Sequence, residues 1–125
     1  MINNIKIISK YSDDYPSNLL NIPNSPNTIF ALGNLSLLKT FSLAIVGSRN
    51  FTIDAKILTE NLVKDLVNQN ITIISGMARG IDTISHKACI ENGGKTIAIL
   101  GCGFLSVYKQ KIFQQILDSN RINYK

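Results

Sequence analysis

The chain has 125 residues, enough for one domain with a sizeable core and too few for two well-packed ones. Its 45% apolar content excludes a disordered or solvating chain, as does a charged content of 17%, low against an average of about 25%. The formal net charge of +5 and a pI near 9.4 favour polyanionic partners without naming one.

No apolar run approaches the roughly 18 residues that a membrane span needs. The opening MINNIKIISK alternates apolar and polar residues and has no signal-peptide core. A cytoplasmic protein is expected. Cys89 and Cys102 form no CxxC pair, and His86 is the one histidine. No metal site is expected, and both thiols are expected to be reduced and buried or half-buried.

Residues 1–27 read as a polar, turn-rich lead-in, broken at Pro16, Pro23 and Pro26. Residues 28–125 read as the folded domain. Its first run, TIFAL at 28–32, stops at Gly33-Asn34 and is expected to join the main sheet or its edge. Residues 35–39 fit one helical turn. SLAIV at 42–46 is a second strand, stopped at Gly47-Ser48. From Thr52, a plausible N-cap, apolar residues recur at helical spacing to Asn70. ITII at 71–74 is a short β-branched strand. Residues 81–92 form a helix that ends at Gly93-Gly94. KTIAIL at 95–100 is another strand, and 108–118 a last helix. Apolar strands alternating with amphipathic helices predict an α/β fold, a parallel sheet flanked by helices.

Three strands end in glycine-bearing loops, on the side where open parallel sheets bind ligands. Gly47-Ser48-Arg49 combines a backbone free to approach a phosphate, a hydroxyl donor and a bidentate guanidinium ahead of a helix N-terminus. The second loop runs Ser75-Gly76-Met77-Ala78-Arg79-Gly80. Ser75, Gly76, Arg79 and Gly80 are its candidate phosphate contacts. Asp82 is expected to organise this loop, by capping the next helix or pairing with Arg79. His86 is expected to pack or hydrogen-bond within the same helix. Gly101 and Gly103 flank Cys102 in the third loop. No acid pair or nucleophilic triad is present, so no catalytic residue is assigned. GxGxxG and GxxxxGK[ST] are absent, so no dinucleotide or nucleotide cofactor is expected.

The strings AIVGSRNFT and ITIISGMARGIDTISHKACIENGGKTIAILGCG resemble the DprA/Smf family. So does the lead-in, with Tyr15-Pro16, Pro26, Phe30 and Gly33-Asn34 in place. The resemblance runs from about Tyr11 to Gly103. It implies a Rossmann-like fold and phosphate-mediated binding of single-stranded DNA without catalysis. It further implies dimers and delivery of DNA to a RecA-type recombinase in natural transformation. The family's T-x-Y-G after the first loop reads Asp54 and Ala55 at its last two positions. The family's aspartate, Tyr-Pro and asparagine after the third loop read Leu105, Tyr108-Lys109 and Ile112. A domain incomplete at its C-terminal end is therefore expected. Two alternatives stand beside this reading: a nucleotide-binding enzyme of the phosphoribohydrolase type, or a remnant without function. The first needs a PGGxGTxxE string, which does not occur.

Overall fold

The structure, a computed structural model, describes residues 4–119. Its first sheet is a two-stranded ribbon. Strand β1 (Lys6–Ser9) runs antiparallel to β2 (Thr28–Ala31), with Ile7 opposite Phe30 and Ile8 opposite Ile29. A short helix, α1 (Ser17–Leu20), lies between them, and the Tyr15 hydroxyl donates to the Pro26 carbonyl at 2.7 Å. The strand at Thr28 therefore does not join the main sheet, contrary to its apolar run. It alternates between exposed and half-buried residues, the mark of an antiparallel ribbon with one face in solvent. The alternation at the N-terminus supplies the partner strand inside what reads as a lead-in, and the pairing crosses the expected boundary at 27/28. A 3₁₀ turn follows at Leu35–Lys39, its first amides met by the Asn34 side chain, which accepts from Ser36 N–H at 3.1 Å.

The main sheet holds β3 (Ser42–Ala44), β4 (Thr72–Ser75) and β5 (Thr96–Ala98), all parallel, in the order β3-β4-β5. Helices α2 (Ile53–Asn68) and α3 (Ile81–Glu91) are the crossovers, and α4 (Lys111–Ser119) follows β5. The Thr52 side chain caps α2 as its sequence position suggests, accepting from Ala55 N–H at 3.1 Å. The last helix starts later than its periodicity indicates, at Lys111. Turns occupy residues 107–110, after a 3₁₀ turn at 104–106, and Gln114 Nε2 donates to the Tyr108 carbonyl at 2.6 Å.

Ile73, at the centre of β4, is fully buried with Val63 of α2 and Ala88 and Cys89 of α3. Further along, Met77 joins Val107 and Ile112, Phe113 and Ile116 of α4, with Ala98 and Leu100 packed against them. Side chains alternate across a strand. Ile73, Thr96 and Ala98 therefore share the face that α2, α3 and α4 cover, and Ile74 and Ile97 point to the other. Among the described residues, no helix is long and apolar enough to cross a membrane.

Candidate nucleic-acid interface

The loops after β3 and β4 are built as one unit, and Asp82 joins them. This residue is buried in the first turn of α3. Its Oδ1 accepts from the Gly47 amide at 3.4 Å, and its Oδ2 from the Gly76 amide at 3.2 Å. It neither caps α3 nor pairs with Arg79, the two roles weighed for it; it bridges two loops that are 29 residues apart in sequence by their numbering (76 minus 47). A third link runs through the helix start, where Ile81 N–H donates to the Ser48 carbonyl at 3.1 Å.

The glycines serve this junction. A Cβ on Gly47 would come within 2.8 Å of Ile81 Cβ. A Cβ on Gly80 would run into the Ser48 carbonyl and lie 2.6 Å from Arg49 Cα, and Gly80 has φ of +87°. Close approach is thus needed between the two loops themselves. In the same loop, Met77 adopts a left-handed φ of +61° while its side chain is buried against α4. Burial holds a conformation that costs a non-glycine residue roughly 1–2 kcal/mol.

This junction changes which groups can face an anion. The Gly47 and Gly76 amides are spent on Asp82, and the first amide of α3 on Ser48. Ser75, a candidate contact, is buried, and its hydroxyl donates to the Ile45 carbonyl at 2.6 Å, tying β4 to β3. Ser48 remains exposed. Its Oγ accepts from Asn50 N–H at 3.1 Å, which leaves its own hydrogen to donate. Arg49 and Arg79 are both exposed. The Arg49 backbone lies against Gly80, the residue that follows Arg79, so both arginines belong to the joined loops at the carboxyl ends of β3 and β4.

The third loop differs. Gly101 and Gly103 are exposed, and a Cβ at either meets nothing within 4 Å. Cys102 between them is a free, exposed thiol, which corrects the expectation that both thiols are covered. Cys89 is buried, and burial pushes its thiol up to about 11. Phe51 is partly exposed beside the first loop, whereas Phe104 packs against Phe113 with ring centroids 6.4 Å apart.

His86 lies under the junction, one helical turn after Asp82, and is fully buried. Its partner is on β5, across to the sheet rather than within α3: Nδ1 sits 2.7 Å from Thr96 Oγ1. The Thr96 hydroxyl donates to the Ile73 carbonyl at 2.9 Å, so its one hydrogen is committed. Nδ1–H must then be the donor to Thr96, and Nε2 is a buried lone pair without a partner. Burial pushes His86 down to about 4, with the Asp82 carboxylate pulling the other way. Sequence reasoning had no signal for the Thr96 link, since the two residues meet only through packing of α3 on β5. Among the described residues, no cluster of His, Cys, Asp or Glu could hold a metal ion.

A parallel α/β sheet with basic loops at its carboxyl edge is the frame on which the comparisons bear. A family model described as DNA recombination-mediator protein A matches residues 6–122. The chain belongs to that family. It is 42% identical over 106 residues to the DNA processing protein DprA of Streptococcus pneumoniae, covering 85% of this chain and 37% of that protein. It is 39% identical over 114 residues to DprA of Bacillus subtilis, covering 90% of this chain and 37% of the other. The X-ray structure of the S. pneumoniae protein superposes with a TM-score of 0.80 at 39% identity, covering 93% of this chain and 40% of that one. A DprA structure from Helicobacter pylori, whose description concerns its single-stranded DNA binding mode, shares the fold at TM-score 0.71 and 24% identity. The chain thus spans well under half the length of the S. pneumoniae and B. subtilis proteins and 52% of the H. pylori chain.

Proposed function

We propose that this chain binds single-stranded DNA by its phosphates, at the carboxyl edge of the β3-β4-β5 sheet. The observation that carries this reading is that two exposed arginines, Arg49 and Arg79, lie on the two loops that Asp82 and the close Gly80–Arg49 backbone approach join. Rigid placement lowers the ordering cost of each charge-assisted contact. Ser48 supplies a neutral donor beside them, and Gly47, Gly76 and Gly80 allow the loops to pack so closely. Gly101 and Gly103 leave the third loop free to follow the strand. Family membership and the recombination-mediator description support DNA as the polyanion. The DNA-binding description of the H. pylori protein agrees, though that likeness by itself speaks to fold. Within the longer proteins of the family, the same reading extends to dimers that pass DNA to a RecA-type recombinase during transformation, in the cytoplasm, without catalysis.

The test is a fluorescence-polarisation titration with oligo-dT at two salt concentrations. Affinity should fall with salt and be indifferent to sequence, because released counterions drive it. Arg49→Ala or Arg79→Ala should each weaken binding roughly ten- to a hundredfold, the worth of one well-formed charge-assisted contact. Arg49→Lys should recover only part, since an ammonium lacks the planar fork. Circular dichroism should show the fold intact. The reading fails if both alanine variants bind like the parent while Arg121→Ala, in the basic C-terminal sequence, does not.

A further inference from the structure

The second loop is held at nearly every residue. The Gly76 amide donates to Asp82 at 3.2 Å. The Ala78 carbonyl accepts from Thr83 N–H at 3.1 Å and from Thr83 Oγ1 at 2.8 Å. Gly80 lies against the Ser48 and Arg49 backbone. Arg79 is the one exposed residue of 76–80. Two positive φ angles bracket it, +61° at Met77 and +87° at Gly80. Glycine adopts such a φ without strain. At Met77 it runs against the preference of any residue with a Cβ, and neither Gly nor Asn stands there to ease it. The Met77 side chain is 7% exposed and lies in one cluster with Val107 and with Ile112, Phe113 and Ile116 of α4. An unbranched thioether fills an irregular socket of this kind well. The disfavoured backbone is therefore matched by a side chain seated in a different element of the fold.

We propose that Met77 is the positioning residue of this loop: its side chain, seated in the α4 cluster, fixes the backbone turn from which Arg79 reaches a DNA phosphate. The inference rests on the DNA reading for its ligand and deepens it. Among residues 76–80 only Met77 is buried. The place of Arg79, two residues on, therefore follows from where Met77 is seated. The loop is braced from two sides, by Asp82 from α3 and by the Met77 socket from α4. Phe104, the first residue after the third loop, packs on the same cluster, so that socket supports two of the three loops. The first loop has no residue in it. Arg49 is thus the internal control, a phosphate contact of the same kind that Met77 does not position.

Limited trypsin digestion reads the anchor without DNA. Arg79-Gly80 is itself a tryptic bond, and cleavage within a held loop follows its opening. Met77→Gly relaxes the φ and empties the socket. It should speed cleavage after Arg79 and weaken oligo-dT binding roughly three- to tenfold, the cost of ordering one long side chain on binding. Met77→Leu keeps an apolar side chain of similar volume and should resist trypsin and bind DNA as the parent does. In a double-mutant cycle, Arg79→Ala should lose less affinity in the Met77→Gly background than in the parent, and Arg49→Ala should lose the same in both. Equal further losses at both arginines would mark Met77 as a packing residue only and overturn the proposal. Circular dichroism checks the fold of each variant. If Met77→Gly does not fold, Phe113→Leu trims the socket from the α4 side and should give the same pattern at smaller amplitude. Cleavage after Arg79 that stays at the parent rate in the folded variants overturns the proposal whatever the DNA result. If Arg79→Ala alone binds DNA like the parent, the DNA reading of this loop fails and the proposal falls with it; the cleavage rate tells that failure from a failure of the anchor.

Discussion

Two of the three glycine loops at the carboxyl edge of the sheet are locked together, and the third is open. In the first two, Gly47, Gly76 and Gly80 sit where any Cβ would meet Ile81, Asp82 or the backbone of Ser48 and Arg49. In the third, Gly101 and Gly103 face empty space. The same residue type thus serves opposite ends, close packing in one region and chain freedom in the other. Three of the amides at this junction, those of Gly47, Gly76 and Ile81, are taken by Asp82 and the Ser48 carbonyl, and the proposed reading therefore rests on Arg49, Arg79 and the Ser48 hydroxyl.

The strongest test of this contrast is Gly80→Ala beside Gly101→Ala. The first forces a side chain into a positive φ and against the Ser48 and Arg49 backbone. It should cost about 3–5 kcal/mol in urea unfolding, from strain and overpacking combined. Gly101→Ala should stay within about 0.5 kcal/mol of the parent. Similar costs at both sites would erase the distinction between the loops.

Acid probes the support beneath the locked pair. His86 is neutral in the folded protein, held at about 4, against an ordinary value near 6.5 when unfolded. The unfolded chain therefore binds a proton that the folded chain refuses. Stability should be full above about pH 6.5 and fall as the pH drops toward 4, by about 3 kcal/mol in all. With a single histidine in the chain, the slope between pH 6.5 and 5 is assigned to it. Urea midpoints across that range should shift in the parent and stay flat in His86→Gln. A flat parent would mean that the ring is solvated.

Asp82→Ala is the next step down. It strips two loop amides of their acceptor and should cost about 2 kcal/mol. It should also weaken oligo-dT binding although both arginines remain, because their platform loosens. Unchanged binding would show that the junction is not needed for the contact. The smallest effect concerns the thiols. Cys102 in the open loop should react at once with a disulfide reagent, while Cys89, buried and pushed up to about 11, should react only in denaturant. Two fast thiols in the native protein would show that the α3-β5 layer opens readily.

The amino-acid sequence alone was enough to establish the alternation of strands and helices, the parallel sheet and the three loops at its carboxyl edge. The reason is that these are written in local patterns: β-branched runs for β4, 3.6-residue periodicity for α2, and glycine after each strand. The family likeness was legible for the same reason, as short contiguous strings. Tertiary structure alone decided the rest. Thr28–Ala31 left the main sheet because its partner, Lys6–Ser9, is found only by pairing across a chain reversal. The Ser75 link between β4 and β3 and the Asp82 bridge between two loops were not legible in sequence, because their partners, Ile45 and Gly47, lie 30 and 35 residues away along the chain. Hydrogen bonds between buried groups are set by which elements pack together, and no local pattern of residues encodes that.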